Sequence, residues 1–120
     1  MDKQRRKELK DAAKQEKVWL GAYKLINKES GKVFIGTSRN LKNQWDRLSM
    51  QLNNKSHPNR ELQDAWNESG KESFEFEVLE EQLAEEALDA KGTLASLEIK
   101  WAESLNAFGD KGYNKRKSYL

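Results

Sequence analysis

Apolar positions along the chain switch between two spacings, and the switches mark the elements. Residues 18–26, V-W-L-G-A-Y-K-L-I, and 33–37, V-F-I-G-T, are short apolar and aromatic runs. The Gly-containing N-K-E-S-G-K between them makes the pair read as a β-hairpin. Next, Leu41, Trp45, Leu48 and Leu52 recur at steps of 4, 3 and 4, one face of an α-helix, with Asn40 as the expected N-cap. S-H-P-N-R-E-L-Q-D-A-W-N-E-S-G predicts a second helix, with Pro58 near its first turn, Leu62 and Trp66 as its buried stripe and Gly70 as its stop. Phe74, Phe76 and Val78 alternate with Glu75 and Glu77, the period of a strand with one wet face. Helical spacing returns over 82–106, through Leu83, Ala87, Leu94, Leu97, Trp101 and Leu105, with a break or kink expected at Gly92-Thr93. Ahead of all this, residues 1–17 lack Gly, Pro and β-branched residues until the end and favour a peripheral basic helix.

The resulting order is helix, hairpin, two helices, a third strand, then one long or broken helix. No internal repeat or linker interrupts it, so 120 residues read as one α+β unit whose three strands need helices over the sheet. The chain has no cysteine, which excludes disulfides, thiolate zinc sites and cysteine nucleophiles, and its one histidine, His57, excludes an all-histidine zinc site. No apolar run approaches the roughly 18 residues of a membrane span, so no membrane association and a cytoplasmic location are the default expectations.

The net charge of +2 conceals an uneven distribution. Residues 1–60 hold 15 Lys/Arg against 6 Asp/Glu, residues 61–104 hold 3 against 13, and residues 105–120 hold 4 against 1. A basic first half and tail suit a polyanion such as nucleic acid. The acidic stretch 61–104 would repel one and is expected to face elsewhere, where it offers a surface for a protein partner.

Several chemistries are absent: there is no Gly-rich phosphate loop after a strand and no G-x-S-x-G elbow. What remains is a scattered set, Gly21, Tyr23, Gly36, Asn40, His57, Glu98 and Asn114, on or beside different elements. G-A-Y at 21–23 on one strand and F-I-G at 34–36 on the next are followed by S-R-N-L and an amphipathic helix. Together they resemble the paired signature of the GIY-YIG nuclease superfamily. The resemblance continues through N-L-K-N-Q-W and H-P-N-R-E-L-Q-D-A-W-N-E-S-G to Glu98 in S-L-E-I-K-W and Asn114 in G-Y-N, covering about residues 18–114.

That resemblance implies a three-stranded antiparallel sheet flanked by helices, here with an extra N-terminal helix over 1–17 and a basic tail over 115–120. It implies cleavage of DNA phosphodiesters with one divalent metal, Mg or Mn, at Glu98, which matches the family's metal carboxylate. Tyr23 matches the first signature tyrosine, Asn114 a polar residue near the site, and His57 has spacing that suits the family. Three positions depart from the pattern. Phe34 replaces the second tyrosine, Gln44 stands at the arginine position, and Leu48 at a polar, often histidine, position. Within one helix, Arg47 is expected to lie nearer the Leu48 turn than Gln44 and so to be poorly placed as a substitute.

Each residue also has a plain structural role open to it: Tyr23 and Phe34 as sheet packing, Glu98 as a solvated helix residue, His57 as a capping or surface residue, and Trp45, Trp66 and Trp101 as core. The favoured reading is a divergent member that binds nucleic acid with impaired or no cleavage. Lys3, Arg5, Arg6, Lys7, Arg39, Lys42, Arg47, Lys115, Arg116 and Lys117 are then the expected phosphate contacts. The alternatives are an active metal-dependent DNA endonuclease with a rearranged site and a protein-interaction module.

Overall fold

The computed structural model describes residues 17–115. The basic helix expected at the N-terminus, apart from Lys17, lies outside the described residues, as do Arg116 and Lys117. Strands β1 (Trp19–Asn27), β2 (Val33–Ser38) and β3 (Phe74–Leu83) form an antiparallel sheet in the order β2-β1-β3. Helices α1 (Gln44–Asn53) and α2 (Arg60–Ser69) follow the hairpin, and α3 (Ala90–Ser104) follows β3.

The hairpin turn is built on Asn27. Its Oδ1 accepts from the backbone of Glu29 and Ser30, and Gly31 takes the positive φ of 77° that the reversal needs. Alternate β1 residues then feed two cores. Tyr23 and Leu25 pack with Leu48 and Leu52 of α1, Leu62 and Trp66 of α2, Phe74 and Tyr113. On the other face Val33 and Ile35 pack with Ala102 of α3 and Ala107, joined by Ile26, Leu79 and Trp101. Both sheet faces are covered by helix, as three strands require.

The β1–β3 register slips between Ala22, opposite Glu80, and Tyr23, opposite Val78, which leaves Leu79 as the extra residue of a β-bulge. The alternation of Phe74, Phe76 and Val78 therefore ends there, and Leu79 packs on the α3 side. At the bulge the backbones approach so closely that a Cβ on Gly21 would lie 2.0 Å from the carbonyl oxygen of Glu80.

Two helix starts differ from expectation. Asn40 does not cap α1: it shares a turn with Ser38, whose hydroxyl bonds the Asn40 carbonyl and amide, while Asn40 Oδ1 accepts from Lys42 N at 3.1 Å. Such local side-chain bonds compete with helix formation, so α1 begins three residues later, after Asn43 in the left-handed conformation. In α3 the break falls before Gly92 rather than at it. β3 runs on to Leu83, a short turn covers Ala84–Glu86, and Asp89 caps the helix by accepting from Gly92 N at 3.0 Å. Leu83 and Ala87 thus lie outside the helix their spacing suggested. The second helix follows its signals, with Asn59 as N-cap and Gly70 as stop.

Residues beyond α3 return to the open edge of β2. Gly112 forms a parallel bridge with Val33, Tyr113 N donates to Val33 O at 2.9 Å, and the Asn114 amide completes the pairing at Ile35.

Candidate active site

Tyr23 and Gly36 face each other across the β1–β2 ladder. The tyrosine ring lies directly over the glycine: a Cβ there would stand 2.4 Å from both Cζ and Oη of Tyr23. The second-strand glycine is therefore a cradle for the first-strand tyrosine. Tyr23 is buried, and burial pushes its phenol up to about 12, with the Glu98 carboxylate also raising it; a Gln44 hydrogen bond and the Arg47 charge oppose the rise. At neutral pH the group is a phenol that donates or accepts a hydrogen bond, and it lies within the electrostatic reach of Gln44, Glu98 and Arg47.

Gln44 opens α1. Its side chain lies close enough to the Tyr23 hydroxyl to oppose the rise in its pKa, and its Oε1 accepts from Arg47 Nη2 at 2.9 Å. Arg47 thus reaches back to Gln44 rather than lying along the Leu48 turn, because a long helical side chain points toward the N-terminus. The same guanidinium also donates to the carbonyls of Lys42 and Asn40 in the loop before the helix. Leu48, only 1 % exposed, belongs to the core and not to the site.

Phe34 packs between Tyr23, with ring centroids 6.4 Å apart, and His57, edge-on at 5.3 Å. His57 Nδ1 accepts from Asn59 N at 3.0 Å, which places its proton on Nε2, and burial holds its pKa below the ordinary value. Asn114 is committed on both sides of its amide: Oδ1 accepts from Ile35 N and Nδ2 donates to Ile35 O, each at 2.8 Å. It works as a splint on β2.

A groove of about 350 Å³ runs past Phe34, Asn59, Arg60, Glu98, Asn114 and Lys115. The groove brings together Glu98, Asn114 and Lys115, while Tyr23 and His57 flank its Phe34 wall and Gln44 lies outside its lining. Arg39 and Lys42 precede α1 and do not line the groove. Arg60 does line it, although the linear pattern offers no reason to prefer it over other basic residues. Its position three residues after His57 and next to the Asn59 cap was the available signal. Among the described residues, no cluster of three His, Cys, Asp or Glu side chains could hold a metal ion. No described helix is long and apolar enough to cross a membrane.

A family model described as the GIY-YIG catalytic domain matches residues 19–114. The chain belongs to the GIY-YIG family. Two solved structures share the GIY-YIG fold seen here. The catalytic domain of the homing endonuclease I-TevI is 28% identical with a TM-score of 0.66, over 82% of this chain and 99% of that one. A mutant of the catalytic domain of the intron endonuclease I-TevI is 27% identical with a TM-score of 0.67, over 80% and 92%. No curated protein matches the sequence. The three-stranded antiparallel sheet and flanking helices are thus those of a GIY-YIG nuclease-superfamily domain.

Proposed function

We propose that this GIY-YIG domain binds nucleic acid, DNA in the first instance, through its phosphate backbone and cleaves it slowly or not at all. The observation that carries this reading is the occupant of the α1 start. A neutral amide, Gln44, stands beside Tyr23 at the start of α1, and the nearest guanidinium, Arg47, is bonded to Gln44 and two loop carbonyls. A phosphate whose charge redistributes during cleavage finds no unengaged cation there, and loss of one preorganised donor costs about 10² to 10³ in rate. Phe34 adds no hydroxyl to relay a proton.

Glu98 is the residue that would hold a divalent cation. A single carboxylate fits Mg²⁺ or Mn²⁺ when water and substrate phosphates complete the shell, and the groove beside Glu98 has room for them. Bound there, the metal would polarise a phosphoryl oxygen and stabilise the leaving oxygen. Tyr23 contributes a fixed neutral hydroxyl, and His57 presents Nε2–H beside Phe34.

The test compares DNA binding and cleavage of the wild-type chain with those of Phe34→Tyr/Gln44→Arg, in Mg²⁺ or Mn²⁺. Wild type is expected to bind with steep salt dependence and leave DNA intact, and the double variant to gain measurable cleavage. Leu48 is best left alone, because histidine at a buried core position would destabilise the fold. A second reading, an active endonuclease, draws on the approach of Arg47 to Gln44. It expects efficient wild-type cleavage that vanishes in Glu98→Ala and in Arg47→Ala; wild-type cleavage as fast as that of Phe34→Tyr/Gln44→Arg would overturn the first reading.

A further inference from the structure

The basic side chains around the site divide by what they already hold. Arg47 is bonded to Gln44 and to two loop carbonyls. Lys32 is paired with Glu61 at 2.9 Å, and Lys24 with Glu77 at 3.2 Å. Arg60 and Lys115, both exposed, make no side-chain hydrogen bond or ion pair among the described residues, yet both line the groove that holds Glu98 and Phe34.

Their mounts are rigid. Asn59 caps α2 through Leu62 N at 3.0 Å and at the same time donates to Tyr113 O at 2.7 Å, so the backbone just before Arg60 is tied to the backbone just before Lys115. Asn114, next to Lys115, is fastened to Ile35. Of the acidic residues beside Arg60 on α2, Glu61 is paired with Lys32, and Asp64, one turn on, makes no ion pair with Arg60. Arg60 also stands at the positive end of the α2 dipole, which favours an anion there.

From this juxtaposition we infer that Arg60 and Lys115 form a two-point phosphate clamp on the groove, supplying from α2 and the C-terminal segment the cationic grip that Gln44 does not provide. Arg60 is the planar, bidentate member and Lys115 the point charge. The clamp rests on the proposed nucleic-acid binding and assigns it a place: the substrate backbone passes along Phe34 between α2 and residues 114–115. The two cations bind substrate; they are not placed to take the part of a guanidinium beside Tyr23.

The experiment measures binding of the full chain to a fluorescent random-sequence DNA duplex, and to the matching single strand, over a range of salt concentrations. Arg60→Ala and Lys115→Ala are each expected to weaken binding several-fold at low salt. Each should also make the slope of log affinity against log salt shallower by about 0.9, for duplex. Arg60→Lys should keep most of the slope, and Lys91→Ala, on the exposed first turn of α3, should match wild type. Circular dichroism confirms folding of these surface variants. If wild type binds neither DNA, the binding reading falls and the clamp with it. If wild type binds steeply but either alanine variant keeps the wild-type slope, the clamp alone is overturned and the contacts lie elsewhere, on Arg39 and Lys42 first.

Discussion

Tyr23 is read from the sequence as half of a signature, but what makes it chemically particular is contributed from across the chain. Gly36 gives its ring room, burial raises its pKa with Glu98 adding to the rise from 75 residues away, and Gln44 at the start of α1 opposes it. None of these contacts has a local pattern, although the Tyr23–Gly36 pairing was recoverable by counting the hairpin register back from the turn. Asn114 shows the converse. Its match to a polar site residue was legible, but only the folded geometry shows both amide atoms committed to Ile35. The buried phenol makes a pH prediction. Its pKa is raised from 10 in the unfolded chain to about 12 in the fold, so the unfolded chain loses this proton first. The stabilisation is complete below pH 10 and is lost as pH rises through 12, by about 3 kcal/mol. Urea titrations of wild type and Tyr23→Phe should show it: the phenylalanine variant loses stability less steeply across that window, and parallel curves would refute the assignment.

At the scale of elements, periodicity located every strand and helix described but placed two helix starts wrongly. Both errors concern polar residues with more than one bond open to them. Asn40 closes a turn with Ser38 and Lys42 instead of capping α1. Gly92 reads as a breaker, yet it sits in the first turn of α3 because the Asp89 carboxylate occupies the space where its Cβ would be. The caps also differ in what they hold. Asp89 serves α3 alone, whereas Asn59 caps α2 and grips Tyr113 O. Asp89→Ala should therefore cost about 1 kcal/mol, and Asn59→Ala about 2 to 3 kcal/mol, since a charge-free cap and a second hydrogen bond are lost together. Equal losses in chemical denaturation would show that the Tyr113 contact adds nothing.

For the whole molecule, and among the described residues, the division into a basic first half and an acidic stretch does not survive folding as a division in space. Lys17, Lys24, Lys28 and Lys32 pair with Glu85, Glu77, Glu75 and Glu61, each within 4.0 Å, so the hairpin and the acidic segment neutralise one another in part. Such exposed pairs are worth about 0 to 1 kcal/mol each and weaken with salt. Their larger effect is to remove charge from the field a polyanion meets, which linear charge counting cannot reveal because it ignores strand pairing. The return of residues 112–114 to β2 has a further consequence, for solubility. β2 is an outer strand, and an outer strand with free amides is a template for a second copy of the chain. Asn114 imitates a neighbouring strand at Ile35, while the opposite edge, β3, carries Glu75, Glu77 and Glu81, ionic side chains that discourage pairing even though Lys28 and Lys24 offset part of the charge of the first two. In Asn114→Ala the Ile35 amide and carbonyl are released at an uncharged edge. Under conditions where circular dichroism remains native, light scattering should then report association that grows with protein concentration, and a variant that stays monomeric throughout would show that the edge was never open to a partner.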